Sequence, residues 1–345
     1  MGKYNLLDCT LRDGGYINQW NYSDEAITGI IGGLTEAGLE FVEIGYINPC
    51  GKSKDSTQFA SIEQMRRYLP KRKKRPLFLA MADVGQVSSE DITEYTGESI
   101  EGIRVVFYKH QIEPAIALAR AVAEKGYKLF LQPMVTIDYS IDEYAQLIYE
   151  ISSLEPYAVS IVDSFGYMIK EDFRKYFKIL DNLLPEKTTV GFHSHNNMNL
   201  AFITAQDVLE YCTSRQLVID SSLYGIGRGA GNLNTELIAN YYNMTFGHKY
   251  NIDLILDIIS RYIMPVYQKR AWGYSPYLFI TALHHCHPNY ACYLLEEREV
   301  SVADFAAYIC TIPEEMKTKC RKSYVVEMWD RYVGQQTGKS NPHTS

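Results

Sequence analysis

Residues 8–16 read Asp8-Cys9-Thr10-Leu11-Arg12-Asp13-Gly14-Gly15-Tyr16, directly after the first apolar run of the chain. A cation beside an anion, followed by two glycines, marks a strand end where the backbone can turn sharply and approach a ligand closely. Arg-Asp-Gly-Gly alone equally describes an ordinary surface ion pair before a turn. The second motif that matters is His193-Ser194-His195, far downstream. The elements in between determine whether the two can meet.

Working outward from residue 5, short β-branched or aromatic runs alternate with helical patterns, the signature of repeated βα units. Strands are expected at 5–11, 41–46, 77–83, 102–108, 128–134, 158–164, 188–195 and 217–224. Helices are expected near 24–38, 59–69, 86–96, 112–126, 141–153, 170–183, 198–213 and 234–243, the third interrupted by Thr93 and Gly97. Such alternation fits a (β/α)8 TIM barrel over residues 1–245 better than an open doubly wound sheet. Beyond it the rhythm stops. Helical patterns at 254–267, 276–285, 290–297, 302–309 and 313–332 define a helical C-terminal region over 246–333, and the polar tail 334–345 is expected to fray.

With 345 residues the chain can bury a sizeable core, and a formal net charge of −7 argues against nucleic acid or anionic membrane as partner. Small acidic metabolites remain open, because a local Arg and a metal can invert the field within one cleft. The start lacks a charged segment followed by an apolar one, no apolar stretch is long enough to span a bilayer, and a cytoplasmic protein is expected. Seven cysteines, widely spread and without a CxxC pair, indicate reduced thiols rather than a disulfide framework or zinc knuckle. The basic run Lys71-Arg72-Lys73-Lys74-Arg75 lies between a helix end and a strand start, so it reads as a solvated loop at the non-catalytic end of the barrel.

On a strand, His193 and His195 share one face while Ser194 takes the other. The end of the seventh strand is where barrel enzymes build their sites, and two convergent imidazoles make half a metal site, or a hydrogen-bonded pair in a polar mouth. The first strand ends at the same face, which lets Asp13 add a carboxylate. One Asp and two His with open positions suit a divalent ion, Mn²⁺ first, with Mg²⁺, Co²⁺ or Fe²⁺ as alternatives. A 2-oxo acid could chelate such an ion, and Arg12 would be an always-charged donor for the developing enolate.

Other polar groups have competing readings. Gly225 to Asn232 (GIGRGAGN) is a flexible loop closing the mouth rather than a phosphate cradle. Glu43 and Asp163, near strand ends, either orient ligands or form ion pairs. His284, His285 and His287 make a second metal site or, as the more ordinary alternative, pack and hydrogen-bond near a helix end.

Three segments, 8–14 (DCTLRDG), 191–197 (GFHSHNN) and 225–232, together resemble the signatures of the metal-dependent barrel lyases and synthases, the superfamily of 4-hydroxy-2-oxovalerate aldolase, hydroxymethylglutaryl-CoA lyase and isopropylmalate synthase. The resemblance implies metal ligation by Asp13, His193 and His195, enolate stabilisation by Arg12, and a ligating or supporting role for Asn232. Residues 273–278 (GYSPYL) are similar to the segment with which hydroxy-oxovalerate aldolases place a catalytic Tyr over the barrel, here Tyr274 as proton donor. Those aldolases carry a base His three residues after the ligand Asp, whereas this chain has Tyr16 there, expected to orient the substrate hydroxyl. The aldolase branch implies a small 2-oxo acid such as pyruvate and an aldehyde as substrates, with a homo-oligomer or a partner dehydrogenase as company. A Claisen-type acyl-CoA synthase and a catalytically silent barrel serving a partner are the other two readings.

Overall fold

The computed structural model describes residues 4–339, apart from 53, 72–75 and 212. Eight parallel strands, Tyr4–Asp8, Phe41–Ile47, Leu77–Asp83, Gly102–Phe107, Lys128–Pro133, Ala158–Asp163, Thr189–Ser194 and Leu217–Ser221, pair in sequence order. The first strand pairs with the second on one side, Leu7 opposite Phe41, and with the eighth on the other, Leu7 opposite Asp220. The sheet therefore closes into a (β/α)8 TIM barrel. A two-residue strand, Gln58–Phe59, adds to the end of the second strand outside the closed set.

The helices form where amphipathic spacing and end signals coincide. Lys170–Leu183 buries Phe173, Tyr176, Phe177 and Leu180, one stripe at 3.6-residue spacing, and matches its expected limits end to end. At Ile141–Ser152 the Ser140 side chain accepts from the Glu143 amide, while the Glu143 carboxylate accepts from the Ser140 amide. Two otherwise unpaired donors of the first turn are thereby satisfied.

Three expected elements are corrected. Residues 86–96 hold a single turn of 3-10 helix, Ser89–Asp91, because Ser88 and Asp91 close a local capping box and Ile92 returns to extended backbone. The helix expected at 59–69 shrinks to Ile62–Met65 and the turn Arg66–Tyr68. The first strand stops at Asp8, whose Oδ1 accepts from the Thr10 amide at 2.9 Å and turns the chain into the short helix Thr10–Asp13. The tail expected to fray from 334 is helical to Lys339 as the end of Lys322–Lys339, and 340–345 lie outside the described residues. So does most of the basic run, 72–75.

Inside the barrel, side chains alternate along each strand and stack in layers. The lowest layer is apolar: Leu7, Phe41, Leu79, Phe130, Ala158 and Val218. One step along each strand toward the mouth lie Glu43, Arg104 and Asp220, all buried. A register shift between Glu43 and Tyr46 bulges the second strand. It lets Glu43 serve that layer and Tyr46 the mouth. Gly45 sits in the bulge at φ +149°, where a Cβ would meet the Thr57 carbonyl oxygen at 2.0 Å. No other residue fits.

After Thr235–Phe246, Ile255, Ile258, Ile259 and Ile263 still pack into the barrel's outer core. A separate apolar cluster, built on Tyr290, Leu294, Phe305, Tyr308 and Trp329, starts with the helix Pro276–Leu283. Trp272, between the two, donates to the Tyr224 carbonyl at 3.0 Å and ties the helical region to the loop after the eighth strand. No helix of the described residues is long and apolar enough to cross a membrane.

Candidate active site

Arg12 and Asp13 reach the barrel mouth on the short helix Thr10–Asp13, and His193 and His195 reach it from the end of the seventh strand. With Tyr16, these four line one cavity of about 70 Å³. Ligand atoms of Asp13, His193 and His195 lie within 4.8 Å of one another, and all three residues are buried. Asn232 stands behind them, donating from Nδ2 to Asp13 Oδ2 at 2.5 Å, while its own Oδ1 is buried without a partner. An isolated bridge pairs His195 with Asn232, so the glycine-rich loop folds back onto the end of the seventh strand. Gly227 permits this: a Cβ there would lie 2.5 Å from Asn232 Nδ2 and 3.0 Å from Asp13 Oδ2.

Both imidazoles are oriented through Nδ1. His193 Nδ1 meets Asp220 Oδ2 at 2.9 Å, and His195 Nδ1 meets the Arg228 carbonyl at 3.2 Å. Each hydrogen bond places the ring proton on Nδ1 and leaves Nε2 as the lone-pair donor, the arrangement that metal-binding histidines require. Burial lowers the His195 pKa to about 3, outweighing the attraction of Asp13, so the ring is neutral. Burial by itself would raise Asp13, but Arg12, His195 and His193 hold its carboxyl well below the ordinary range. A neutral His195, the Nε2 of His193 and an ionised Asp13 form a donor set for a divalent cation.

Beneath the ligands runs a closed circuit of charge. Asp13 Oδ1 binds Arg12 Nη1 at 2.5 Å, Arg12 Nε binds Glu43 Oε2 at 2.8 Å, and the same oxygen binds Arg104 Nη1 at 2.9 Å. Arg104 Nη2 binds Asp220 Oδ2, which returns to His193. His193 Nε2 stands 3.9 Å from Asp13 Oδ2. Three carboxylates face two guanidiniums, leaving one carboxylate in excess beside the imidazoles, which suits a cation at these three side chains.

Sequence reasoning missed Arg104 and Asp220. The available signal was a charged residue inside an otherwise apolar strand, at Gly102-Ile103-Arg104-Val105-Val106-Phe107 and at Leu217-Val218-Ile219-Asp220. It also missed Asp83, Tyr46, Tyr108 and Arg228 on the cavity wall. Tyr16 Oη meets Tyr46 Oη at 3.0 Å, and the Arg228 guanidinium lies 4.0 Å from the centre of the Tyr16 ring. Burial pushes Asp83 up to about 6, and its Oδ2 accepts from Gln86 Nε2 at 2.7 Å.

Tyr274 is not on this wall. It is 56% exposed and lines a separate outer cavity of about 550 Å³ that shares Tyr16 and Arg228 with the inner one. Its ring centre lies 6.5 Å from that of Phe279. Asp163 turns to its own loop, accepting from the Tyr167 and Met168 amides at 3.1 and 3.2 Å. The three clustered histidines part company: His285 stacks on Tyr167, His284 approaches Cys310, and His287 approaches Arg228.

Comparison with known proteins places this geometry in context. The family model described as HMGL-like matches residues 3–260. Oxaloacetate decarboxylase of Mycobacterium tuberculosis is 25% identical over 249 residues, 72% of each chain. 4-Hydroxy-2-oxovalerate aldolase of Moorella thermoacetica is 24% identical over 269 residues, 76% of this chain and 77% of that one. Among solved structures, the carboxyl transferase domain of Rhizobium etli pyruvate carboxylase superimposes with a TM-score of 0.71 at 15% identity, covering 96% of this chain and 60% of that one. HMG-CoA lyase from Brucella melitensis gives 0.58 at 16% identity, covering 74% and 95%.

Proposed function

The chain belongs to the HMGL-like family and is a carbon–carbon lyase, and from that premise we propose that it is a divalent-metal-dependent aldolase acting beside the keto group of a small 2-oxo acid. One observation carries the reading: Asp13, His193 and His195 bring an anionic oxygen and two imidazole nitrogens within 4.8 Å at the catalytic end of the barrel. They would hold the ion, Mn²⁺ first, with Asn232 supporting Asp13. When bound, the ion supplies a Lewis acid for the keto and carboxylate oxygens of the 2-oxo acid.

The chain's own groups do the rest. Arg12, fixed by Asp13 and Glu43, points a permanent charge at the enolate oxygen that develops as the carbon–carbon bond breaks. Tyr16, held by Tyr46, orients the substrate hydroxyl. Asp83 is the wall carboxylate poised near neutrality, and with Oδ2 taken by Gln86 its Oδ1 receives the hydroxyl proton and returns one to the enolate carbon. This assignment replaces Tyr274 as donor, because Tyr274 lines only the outer cavity. The inner cavity admits something of pyruvate size and leaves the aldehyde half to extend outward past Tyr16 and Arg228.

The test is exchange of the pyruvate methyl protons with deuterium in D₂O, followed by NMR with and without Mn²⁺, together with elemental analysis. Metal-dependent exchange that disappears in His193→Ala and His195→Ala is the expected result. Equal metal content in wild type and both variants, or no exchange at all, overturns the reading.

A further inference from the structure

Arg12, Arg104 and Arg215 are buried, and each is paired with a carboxylate. Arg228 differs. Its guanidinium is inserted between the inner and outer cavities, yet among the described residues no carboxylate comes within ion-pair range, and its Nε is buried without a partner. What it has is the face of Tyr16 at 4.0 Å, a side-chain hydrogen bond to the Tyr108 hydroxyl, which brings no charge, and His287 Nε2 at 3.4 Å from Nη1. That last contact is a meeting of donors. His287 Nδ1 accepts from the Asn289 amide at 3.0 Å, so the ring proton lies on Nε2, directed at Arg228, with no acceptor between them. Asp83 faces the same cavity and feels the Arg228 charge from a distance, but the two form no ion pair. Arg228 is half-buried with its Nε fully enclosed, so a missing counter-ion is costly there, and two donors aimed at one point are satisfied by one anion.

We infer that Arg228 and His287 form a binding site for a second carboxylate on the substrate, beyond the bond that is cleaved, so that the enzyme acts on 4-hydroxy-2-oxo acids whose far end is anionic. The inference rests on the aldolase reading. The backbone fixes the site's distance from the ligands, since the Arg228 carbonyl accepts from His195 Nδ1. In cleavage the C4 hydroxyl gives up its proton and the C3–C4 bond breaks. Its electron pair passes into the enolate, C4 leaves as the aldehyde carbon of an oxo acid, and C3 takes a proton back. The far carboxylate keeps its charge throughout. A carboxylate that departs as CO₂ would lose its charge, and gripping it would stabilise the ground state over the transition state. The site therefore suits retro-aldol cleavage rather than decarboxylation.

The experiment is aldol addition of pyruvate to succinic semialdehyde and to butanal, equal in carbon number, with Mn²⁺, beside oxaloacetate decarboxylation and the pyruvate deuterium exchange. A charge-assisted contact predicts kcat/KM about 10- to 100-fold higher for the anionic aldehyde in the wild type. Arg228→Gln should collapse that ratio toward one through KM, and Arg228→Lys should recover part of it. The wild-type ratio needs no variant to fold. Exchange with equal kcat/KM for both aldehydes, a loss in Arg228→Gln that is the same for both, or oxaloacetate as the best substrate overturns the inference while leaving a metal-dependent lyase in place. Absence of exchange overturns the aldolase reading and this inference with it.

Discussion

The barrel holds two layers of cations that are treated in opposite ways, a buried one below and a half-buried one at the rim. In the lower one, Arg12 and Arg104 are each gripped by two carboxylates and close a circuit from Asp13 to His193. At the rim, Arg228 rests on an aromatic face with no carboxylate partner among the described residues. A paired charge is a fixed part of the scaffold, whereas an unpaired one has its partner still to come. On the proposed reading, the lower layer positions the site and the rim reads the substrate.

The contrast can be broken at several points. The largest effect is expected where the circuit meets the ligands: Asp13→Ala or His193→Ala should abolish metal retention and lower turnover about 10³-fold or more, read by elemental analysis and pyruvate exchange. Next comes the circuit itself. Arg104→Leu leaves Asp220 without its cation and Glu43 with Arg12 alone, and should cost about 3–5 kcal/mol in denaturant unfolding, with part regained on adding Asp220→Asn. Arg228→Gln, with an aromatic contact and neutral polar neighbours to lose but no ion pair, should cost about 1 kcal/mol or less. A similar loss in the two Arg variants would erase the distinction between layers.

Asp83 gives the rim a titratable carboxyl. Asp83 ionises near 6, so kcat/KM should fall as pH drops through about 6, and Asp83→Asn should remove that limb along with about 10²-fold of activity. The stability sign is opposite. A carboxyl raised from 3.8 in the fold favours folding below that value and loses the contribution as pH rises through about 6. Asp83→Asn should therefore flatten the stability profile between pH 4 and 6. The smallest effect is reserved for Tyr274→Phe, less than about threefold in turnover, against the roughly 10²-fold that loss of an acid–base group costs. A larger drop in Tyr274→Phe would bring the outer cavity into the chemistry.

The barrel was legible because its strands are short apolar runs and its helices carry clean stripes, as at Phe173, Tyr176, Phe177 and Leu180. The segment 86–96 misled because Ser88 and Asp91 satisfy each other locally and end the turn that they begin. Asp13, His193 and His195 were readable from strand position and a two-residue period. Of their supports only Glu43 was singled out, as a ligand-orienting or ion-pairing group; Arg104 and Asp220 were not, because the three come from three strands and only the register brings them together. A bulge at Gly45 was needed besides, and strand periodicity cannot announce it. Tyr274 was misplaced because the turn 271–275 sets its direction, not the helix it precedes.

The stitching between the first strand and the loop after the last has a kinetic meaning. Asn232 and Asp13, in hydrogen-bond contact, are 219 residues apart, and Thr235 Oγ1 reaches Asp8 across 227. Loops of that length close late, after local βα units have formed. A ribosome would have to deliver nearly the whole barrel before Asp13 could meet its histidines, so the nascent chain has no assembled site to expose. Metal capture would then report barrel closure as a single event, and a refolding experiment that followed metal uptake beside helix formation should see the helices first.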